Sequence, residues 1–388
     1  MYFWDMKSLP KSLIAKLQQR TEANALRSLP VANGLVDFSS NDYLGFSQSA
    51  EIFQQAHQYL LDANIISNGS TGSRLITGNH NLYKVTEDFI ARFHNSPSAL
   101  IFNSGYDANV GFFSSVPQKE DIVLYDEYIH ASIRDGLRLS NAKAFKFRHN
   151  DLNHLENLLK RYSAIEGEVY VVTESVFSMD GDTPDLVKLV AVAEEYNSRL
   201  VIDEAHALGM FGAKGEGLVQ ELNLQDRVFA RIMTFGKGLG CHGAAVLGDE
   251  ELRTYLVNFA RSFIYTTALP PHSLAVILTA YKHLENGTKA KKQLRNIITF
   301  FNKELERLAF NDVFIFSESA IHCAIIPGNN RVKQIAEYLQ QNGFNVKPIL
   351  SPTVPQGQER LRFCLHSFTT RESITRFLNL LQERLVQF

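Results

Sequence analysis

Up to residue 270, short apolar runs alternate with longer amphipathic stretches. Runs long enough for buried strands occupy residues 99–102, 122–125, 143–147, 169–173, 200–203, 231–235 and 243–247. Stretches with apolar residues at helical spacing lie between several of them, at residues 106–116, 131–139, 152–161 and 183–196. This alternation predicts an α/β fold with a mostly parallel seven-stranded sheet and helices on both faces.

The pattern changes after Pro270 and Pro271. A long helical region follows, with a break at Gly287. Beyond it, strands are predicted near residues 313–316, 321–326 and 360–365, and helices near 331–341 and 371–386. We therefore predict an N-terminal segment at 1–45 that contains a helix, a large domain at 46–272 and a smaller α+β domain at 273–388.

Polar residues mark the predicted starts of two helices. Asn79 is placed to cap a helix that carries Leu82 and Phe89. Thr183 is placed to cap another, with Pro184 in its first turn. Both predictions place the helix start directly after the capping residue.

Composition and charge exclude several classes of protein. The chain has 388 residues, of which 45% are hydrophobic, and a net charge of −2 with no long run of one sign, which argues against nucleic-acid binding. No signal peptide and no membrane span is recognisable, so we expect a cytoplasmic protein without membrane contact. The three cysteines lie far apart and indicate a reducing compartment, with neither a disulfide framework nor a zinc or other metal site.

A lysine between two glycines is the first candidate for chemistry. Lys237 follows the run at 231–235, and the carboxyl end of a strand in an open α/β sheet is where ligands bind. Other strands of the predicted sheet also lead into polar groups: Asp203 ends one, and His206, His130 and Ser178 follow three of them. Taken singly, a solvated lysine, a salt-bridged aspartate and a structural histidine are the commoner fates of such residues.

Two cofactors are compatible with parts of this pattern. Pyridoxal 5′-phosphate (PLP) suits the combination of a lysine, an acid, imidazoles and hydroxyls. The helix start after residue 102 could hold the phosphate of this cofactor. Residues 238–243 match the dinucleotide pattern G-x-G-x-x-G, but they lead into a predicted strand, whereas the nucleotide fingerprint opens a helix. A nicotinamide dehydrogenase therefore stays the less favoured alternative.

Nine motifs in one order carry a resemblance to a known family. They are FSSNDYLG at 38–45, GYDAN at 105–109, HAS at 130–132, VTESVFSMDGD at 172–182, DEAH at 203–206, TFGKG at 234–238, IYTTALPP at 264–271, PTVP at 352–355 and RLR at 360–362. From about Leu26 to its C-terminus the chain resembles the α-oxoamine synthases, which are PLP-dependent transferases of fold type I.

The resemblance implies a role for each residue of the cofactor site. It makes Lys237 the residue that binds PLP covalently and moves the substrate's Cα proton. Asp203 pairs with the pyridinium nitrogen, His130 stacks on the ring, and Ser178 and His206 lie near the phenolic oxygen; the implied catalytic residues are Lys237, His130, Asp203 and His206. The residues implied mainly for the phosphate end are Gly105, Tyr106, Thr234, Thr266 and Thr267. One of the two last threonines is expected to reach the cofactor of a neighbouring subunit, which predicts a homodimer.

The resemblance also implies the substrates. The expected reaction is a decarboxylative condensation of L-alanine with a pimeloyl thioester, carried on coenzyme A or on a carrier protein, as in biotin biosynthesis. Sister enzymes that join glycine or serine to acetyl or palmitoyl donors are the main alternative, and a catalytically silent subunit of the same fold is another. The implied substrate-binding residues are Arg27, Asn41, His130, Thr353 and Arg362.

Two positions on the substrate side leave alternatives open. Arg27 matches a position that contacts the acyl substrate in the family, or it is a solvated arginine at an N-terminal helix. After Arg362 the family continues with small residues and a histidine, whereas here residues 363–368 intervene and Thr369 takes the place of that histidine.

Overall fold

The computed structural model describes residues 9–27, 29, 34–287, 289–310 and 312–386. Its helices are α1 Lys11–Glu22, α2 Ala50–Asp62, α3 Asn81–Phe93, α4 Gly105–Ser115, α5 Ala131–Leu139, α6 Leu152–Tyr162, α7 Leu186–Glu195, α8 Leu218–Glu221, α9 Glu250–Phe259, α10 Arg261–Ile264, α11 Pro271–Glu285, α12 Lys289–Arg307, α13 Asn329–Gln341 and α14 Arg371–Val386. Its strands are β1 Val36–Asp37, β2 Ser98–Phe102, β3 Ile122–Asp126, β4 Lys143–Phe147, β5 Val169–Glu174, β6 Arg199–Asp203, β7 Ala230–Thr234, β8 Ala244–Gly248, β9 Phe314–Ile315, β10 Ile321–Ile325, β11 Phe344–Asn345, β12 Lys347–Ile349 and β13 Arg360–Cys364.

The large sheet has seven strands in the order β2-β8-β7-β6-β5-β3-β4. All its neighbouring strands are parallel except β8, which runs antiparallel to both β2 and β7. Every residue of β5, a strand inside the sheet, is buried, which is why its sequence is an almost unbroken run of apolar and β-branched residues. The predicted mostly parallel, seven-stranded sheet is confirmed.

Two predicted helix caps are wrong. The helix α3 begins at Asn81 after His80, while the side chain of Asn79 accepts a hydrogen bond from Arg74 Nε at 3.0 Å. The helix α7 begins at Leu186, because the Asp185 side chain accepts a hydrogen bond from the Lys188 amide and so supplies the cap that Thr183 was expected to give. Tertiary contacts and a stronger carboxylate cap thus shift both helix starts by one or two residues.

The C-terminal part contains a second sheet in the order β12-β13-β10-β9. The predicted break at Gly287 separates α11 from α12, and the strands and helices expected after residue 310 are present. The short strands β11 and β12 had no clear sequence signal. The helix α11 packs against the helices α2 and α3, and one apolar core continues through both parts of the chain. The predicted limits of the two domains stay a prediction.

The N-terminal segment is attached to the C-terminal part. Strand β1 pairs in parallel with β11, with Val36 opposite Phe344. Directly after β1, the buried ring of Phe38 stacks on Phe377 with a centroid distance of 4.9 Å. These contacts fix the start of the loop 39–45, which reaches the edge of the large sheet.

None of the helices in the described ranges combines the length and the apolar content that crossing a lipid bilayer requires.

Candidate active site

The loops after the strands bring most of the predicted residues to one edge of the large sheet. Asp203 ends β6, and Lys237 lies three residues beyond the end of β7. The loop after β5 carries Ser178, and His130 lies between β3 and α5. Because parallel strands end on the same side of a sheet, these residues share one edge.

Lys237, His206 and Tyr43 form a hydrogen-bonded row at the centre of this edge. Lys237 Nζ lies 2.7 Å from His206 Nε2, and Tyr43 Oη lies 2.6 Å from His206 Nδ1. Tyr43 Oη in turn donates to Asn41 Oδ1 at 3.2 Å. Tyr43 was not predicted as a site residue, although it stands two residues after the predicted Asn41.

Burial perturbs the protonation of this row. Desolvation lowers the pKa of Lys237 to about 8, although the nearby carboxyl groups of Asp203 and Glu174 oppose the shift. Desolvation, together with the Lys237 amine, holds the pKa of His206 well below its usual range. Near neutral pH, His206 is therefore a neutral imidazole and a fraction of Lys237 is an uncharged amine.

A second row of hydrogen bonds connects Asp203 with His130. Asn109 Nδ2 donates to Asp203 Oδ2 at 2.9 Å and to Ser132 Oγ at 3.0 Å. Ser132 Oγ lies 2.7 Å from His130 Nδ1, which also accepts from the Ser132 amide at 3.2 Å. Because Nδ1 accepts from the Ser132 amide, it carries no proton in the neutral ring, so the Ser132 hydroxyl also donates to it and His130 carries its ring proton on Nε2. Asn109 and Ser132 lie in two of the recognised motifs, but no role had been assigned to them.

Glu174 is a further acid that the sequence interpretation missed. It ends β5 directly opposite Asp203, at the end of β6, and only 2% of it is exposed. Its Oε2 accepts a hydrogen bond from the Ser178 amide at 3.3 Å, while the buried Oε1 has no hydrogen-bond partner among the described residues. Burial, and then the neighbouring Asp203, raise the pKa of Glu174 to about 8. Two adjacent parallel strands that both end on an acid were the signal that could have revealed it.

The turn between β2 and α4 brings together the residues predicted for a phosphate. A Cβ at Gly105 would lie 2.3 Å from Thr234 Oγ1, so this close approach requires glycine. Asn103 Nδ2 donates to Thr266 Oγ1 at 3.0 Å and to the Thr267 carbonyl at 2.7 Å. Both threonines thus lie beside the N-terminus of α4 of their own chain. The expected contact of one of them with the cofactor of a neighbouring subunit stays a prediction.

Tyr106, which is predicted for the phosphate end, is an exposed residue. Half of the residue, 50%, is accessible to solvent, and its hydroxyl donates to Asp135 Oδ2 at 2.9 Å. Its backbone N–H lies in the first turn of α4, where amides have no partner within the helix. The backbone of Tyr106 is therefore the part suited to an anion.

Arg362 joins the substrate side of the site. Its Nη2 donates to Asn41 Oδ1 at 3.0 Å, and its Nε donates to the carbonyl of Ser178 at 2.7 Å. Its Nη1 lies 3.3 Å from the sulfur of Cys364, a buried thiol that the sequence interpretation did not include. The structure therefore brings Asn41 and Arg362, both predicted for the substrate, together with Ser178, which was predicted for the cofactor.

Thr353 and Arg27 are not joined to this cluster. Thr353 is exposed in the loop after β12, where its amide donates to the Leu350 carbonyl at 2.8 Å. Arg27 is exposed in the segment after α1. Within the described ranges, no hydrogen bond or ion pair links either residue to Lys237 or Arg362. Their substrate-binding roles stay predictions.

The segment that departs from the family after Arg362 supports the loop 39–45. His366 is fully buried, and its Nε2 lies 3.1 Å from both Oγ and the carbonyl of Ser40. Thr369, in the place of the family's histidine, accepts a hydrogen bond from the His366 amide with its Oγ1 at 3.0 Å. His366 and Thr369 therefore help hold the loop that carries Asn41 and Tyr43.

The dinucleotide interpretation of residues 238–243 is wrong. These residues lead into strand β8, so they open no helix that could receive a pyrophosphate. Their glycines serve close packing instead, since a Cβ at Gly240 would lie 2.2 Å from the Ser47 amide.

Comparison with known proteins agrees with this geometry. Residues 33–381 match the family of class I and II aminotransferases. The chain is 42% identical, over 95% of its length and 94% of the relative's, to 8-amino-7-oxononanoate synthase of Emericella nidulans. It is 30% identical to a solved 8-amino-7-oxononanoate synthase of Francisella tularensis, with a TM-score of 0.76 and coverage of 92% and 99%. A serine palmitoyltransferase variant from S. paucimobilis with bound PLP–myriocin is 25% identical, with a TM-score of 0.87 and coverage of 97% of both chains.

Proposed function

Because the chain belongs to the α-oxoamine synthases, a group within the class I and II aminotransferase family, we propose that it condenses L-alanine with a pimeloyl thioester. The products are 8-amino-7-oxononanoate, carbon dioxide and the free carrier, which is coenzyme A or a carrier protein. This is a step of biotin biosynthesis. The relatives that carry this activity in their names match the chain over most of its length, at 42% identity for that of Emericella nidulans and 38% for that of Glaesserella parasuis.

The residues at the sheet edge fit PLP. Asp203 is buried and held by two donors, Asn109 Nδ2 and the Ala205 amide, so it offers a fixed acid to the ring nitrogen. Gly105 allows the close approach of Thr234 to the first turn of α4, where backbone amides without a partner in the helix suit a phosphate. Lys237, with its lowered pKa, is a suitable amine for covalent attachment. When bound, PLP supplies the electron sink for bond breaking and bond making at the amino acid's Cα.

Arg362 and Lys237 act on different groups of the amino acid, the carboxylate and the Cα proton. The Arg362 guanidinium offers the planar fork that binds a carboxylate, and Asn41 and Ser178 fix its orientation. Lys237 accepts and returns the proton at the substrate's Cα, because a pKa of about 8 leaves part of its amine unprotonated near neutral pH. His206 orients that amine through its Nε2.

The observation that carries the proposal is the joint position of Lys237, His206 and Arg362. A hydrogen-bonded path through Tyr43 and Asn41 connects the amine with the guanidinium. An enzyme that acts on a free α-amino acid needs both groups, one for the Cα proton and one for the carboxylate.

A homodimer also belongs to the proposal. Thr266 and Thr267 follow Tyr265, of which 72% is exposed. The adjoining loop is tied to them, since the Ala268 amide donates to the Gly72 carbonyl at 3.0 Å, and it exposes 80% of Ile76. Exposed large apolar side chains are typical of a protein–protein contact, and Tyr265 directly precedes the residues expected to reach a second subunit.

The proposal is tested by measuring thioester consumption by the purified, PLP-loaded protein. Pimeloyl thioester with L-alanine, glycine or L-serine is compared side by side with acetyl and palmitoyl thioesters. We expect turnover with L-alanine and pimeloyl thioester to exceed all other pairs. A preference for glycine with acetyl, or serine with palmitoyl, would instead assign the protein to a sister activity, and absence of PLP absorbance would indicate a catalytically silent subunit.

A further inference from the structure

We propose that Tyr43 is a positioning residue that fixes the tautomer of His206, so that the Nε2 lone pair of this histidine faces Lys237. The part of this inference that concerns catalysis rests on the proposed function. The tautomer itself does not, because the contacts that determine it lie entirely within the chain.

At the Arg362 end of the row, the donor is certain. A guanidinium only donates, so the Asn41 atom that lies 3.0 Å from Arg362 Nη2 is the oxygen Oδ1. Tyr43 Oη lies 3.2 Å from the same oxygen, which can only accept, so the single hydroxyl proton of Tyr43 is directed to Asn41.

The direction of the remaining bonds follows. Tyr43 Oη donates its only proton in the hydrogen bond to Asn41. In the 2.6 Å contact with His206 Nδ1 the hydroxyl oxygen therefore accepts, and Nδ1 carries the ring proton. A neutral imidazole has one proton, and Nε2 is therefore an acceptor for Lys237 Nζ at 2.7 Å. Both rings are deeply buried, with 0% of Tyr43 and 3% of His206 exposed, so water does not substitute for these partners.

This arrangement has a consequence for the lysine. With Nε2 as acceptor, His206 attracts an N–H of Lys237 and holds the amine in one orientation. Without the Tyr43 hydroxyl, the buried Nδ1–H would lose its partner, and the proton would move to Nε2. An Nε2–H cannot accept from the protonated amine of Lys237, so this amine would lose the hydrogen bond that fixes its direction.

The first test reads the tautomer of His206 directly. Nitrogen-15 NMR of the full chain, labelled at histidine and freed of cofactor, reports which ring nitrogen of His206 carries the proton; loss of the signal in His206→Asn assigns it. We expect Nδ1–H in the natural protein and a shift towards Nε2–H in Tyr43→Phe. An Nε2–H in the natural protein, or an unchanged tautomer in Tyr43→Phe, would overturn the inference.

A matched control comes from a similar pair outside the site. The buried Tyr281 hydroxyl lies 3.0 Å from Nε2 of the buried His94, so Tyr281→Phe removes the same kind of bond elsewhere in the core. It should leave the His206 signal unchanged, and a change of equal size in both variants would mean a general loosening of the core and contradict our inference.

A second readout follows Lys237 directly. The rate at which added PLP forms its covalent link to the protein, read from absorbance, should fall about tenfold in Tyr43→Phe, the order that loss of one buried hydrogen bond corresponds to. Tyr281→Phe should keep the natural rate. Equal rates in all three proteins would refute the effect on Lys237. If instead the tautomer and the rate behave as expected but alanine and pimeloyl thioester are not consumed, the proposed function fails and the role of Tyr43 stands.

Discussion

His149 offers a prediction in which the sign of a pH effect can be worked out from the structure. Its Nδ1 lies 3.0 Å from Asp126 Oδ1, and its Nε2 lies 2.8 Å from Asp182 Oδ2. The ring of Tyr128 stacks on it with a centroid distance of 4.4 Å. Burial disfavours the charged imidazolium, but the two carboxyl groups outweigh this and raise the pKa of His149 from 6.5 to about 10.

A raised pKa in the folded state sets the direction of the effect. Below the ordinary pKa, both the folded and the unfolded chain carry the proton, and the stabilisation is fully present. As the pH rises towards 10, the unfolded chain loses this proton first, so stability falls by about 1.4 kcal/mol per pH unit within the window. Because 20% of the His149 side chain is exposed, solvent screens its interaction with the two carboxyl groups. We therefore expect a total loss of stability of about 3 kcal/mol, which is less than the loss per pH unit multiplied by the whole pKa shift.

The assay compares the natural protein with His149→Asn in urea unfolding at several pH values. The difference in apparent unfolding free energy should be largest near about pH 6 and shrink by about 3 kcal/mol towards about pH 9.5, where the natural protein has lost most of its advantage. His283→Asn is the control, because His283 Nε2 contacts a neutral amide, Gln55 Oε1, at 2.8 Å. A difference for His149→Asn that stays constant or grows between these pH values would refute the charge-based reasoning.

Four further predictions follow from the site. Lys237→Ala should lower turnover by several orders of magnitude, because the covalent and proton-transfer roles are lost together, and a borohydride-reducible cofactor adduct in this variant, detected by mass spectrometry, would contradict the assignment. Gly105→Ala should weaken PLP binding in an absorbance titration, since the added Cβ would lie 2.3 Å from Thr234 Oγ1, and unaltered binding would show that the turn can adjust. Arg27→Ala should raise the KM for the thioester by the equivalent of about 1.5–3 kcal/mol and reduce the preference for pimeloyl over an uncharged chain of equal length, whereas an unchanged preference would remove this arginine from the acyl site. Sedimentation at assay concentration should show a dimer, and a fully active monomer would refute the shared site.

The sequence predicts the strands and helices from their apolar patterns, and it predicts the polar residues that follow the strands. The seven short runs predicted as strands correspond to the seven strands of the large sheet, and Asp203 and Lys237 were recognised because strand ends are where an open α/β sheet binds ligands. The cap at Asp185 was missed because Thr183 and Asp185 both have a side-chain oxygen that can cap a helix, and only the folded backbone selects one. Strand β11 is too short to show a period.

The missed parts of the site depend on contacts between distant segments. Tyr43 and His206 lie 163 positions apart, and no local pattern indicates that their side chains meet. Glu174 lay in a recognised motif, but its raised pKa arises from burial beside Asp203, which only the strand register establishes. The sequence thus predicts which groups are available for chemistry, whereas the packing determines how they are connected.

The pairing of Val36 with Phe344 has a consequence for synthesis on the ribosome. The loop with Asn41 and Tyr43 is made early, but the strand that anchors it, and the strand that carries Arg362, are made near the end. The large sheet can form while the chain is still growing, because all its strands precede residue 249. A nascent chain therefore acquires Lys237 and Asp203 well before Arg362 is made, and the two parts of the site come together only when β1 pairs with β11.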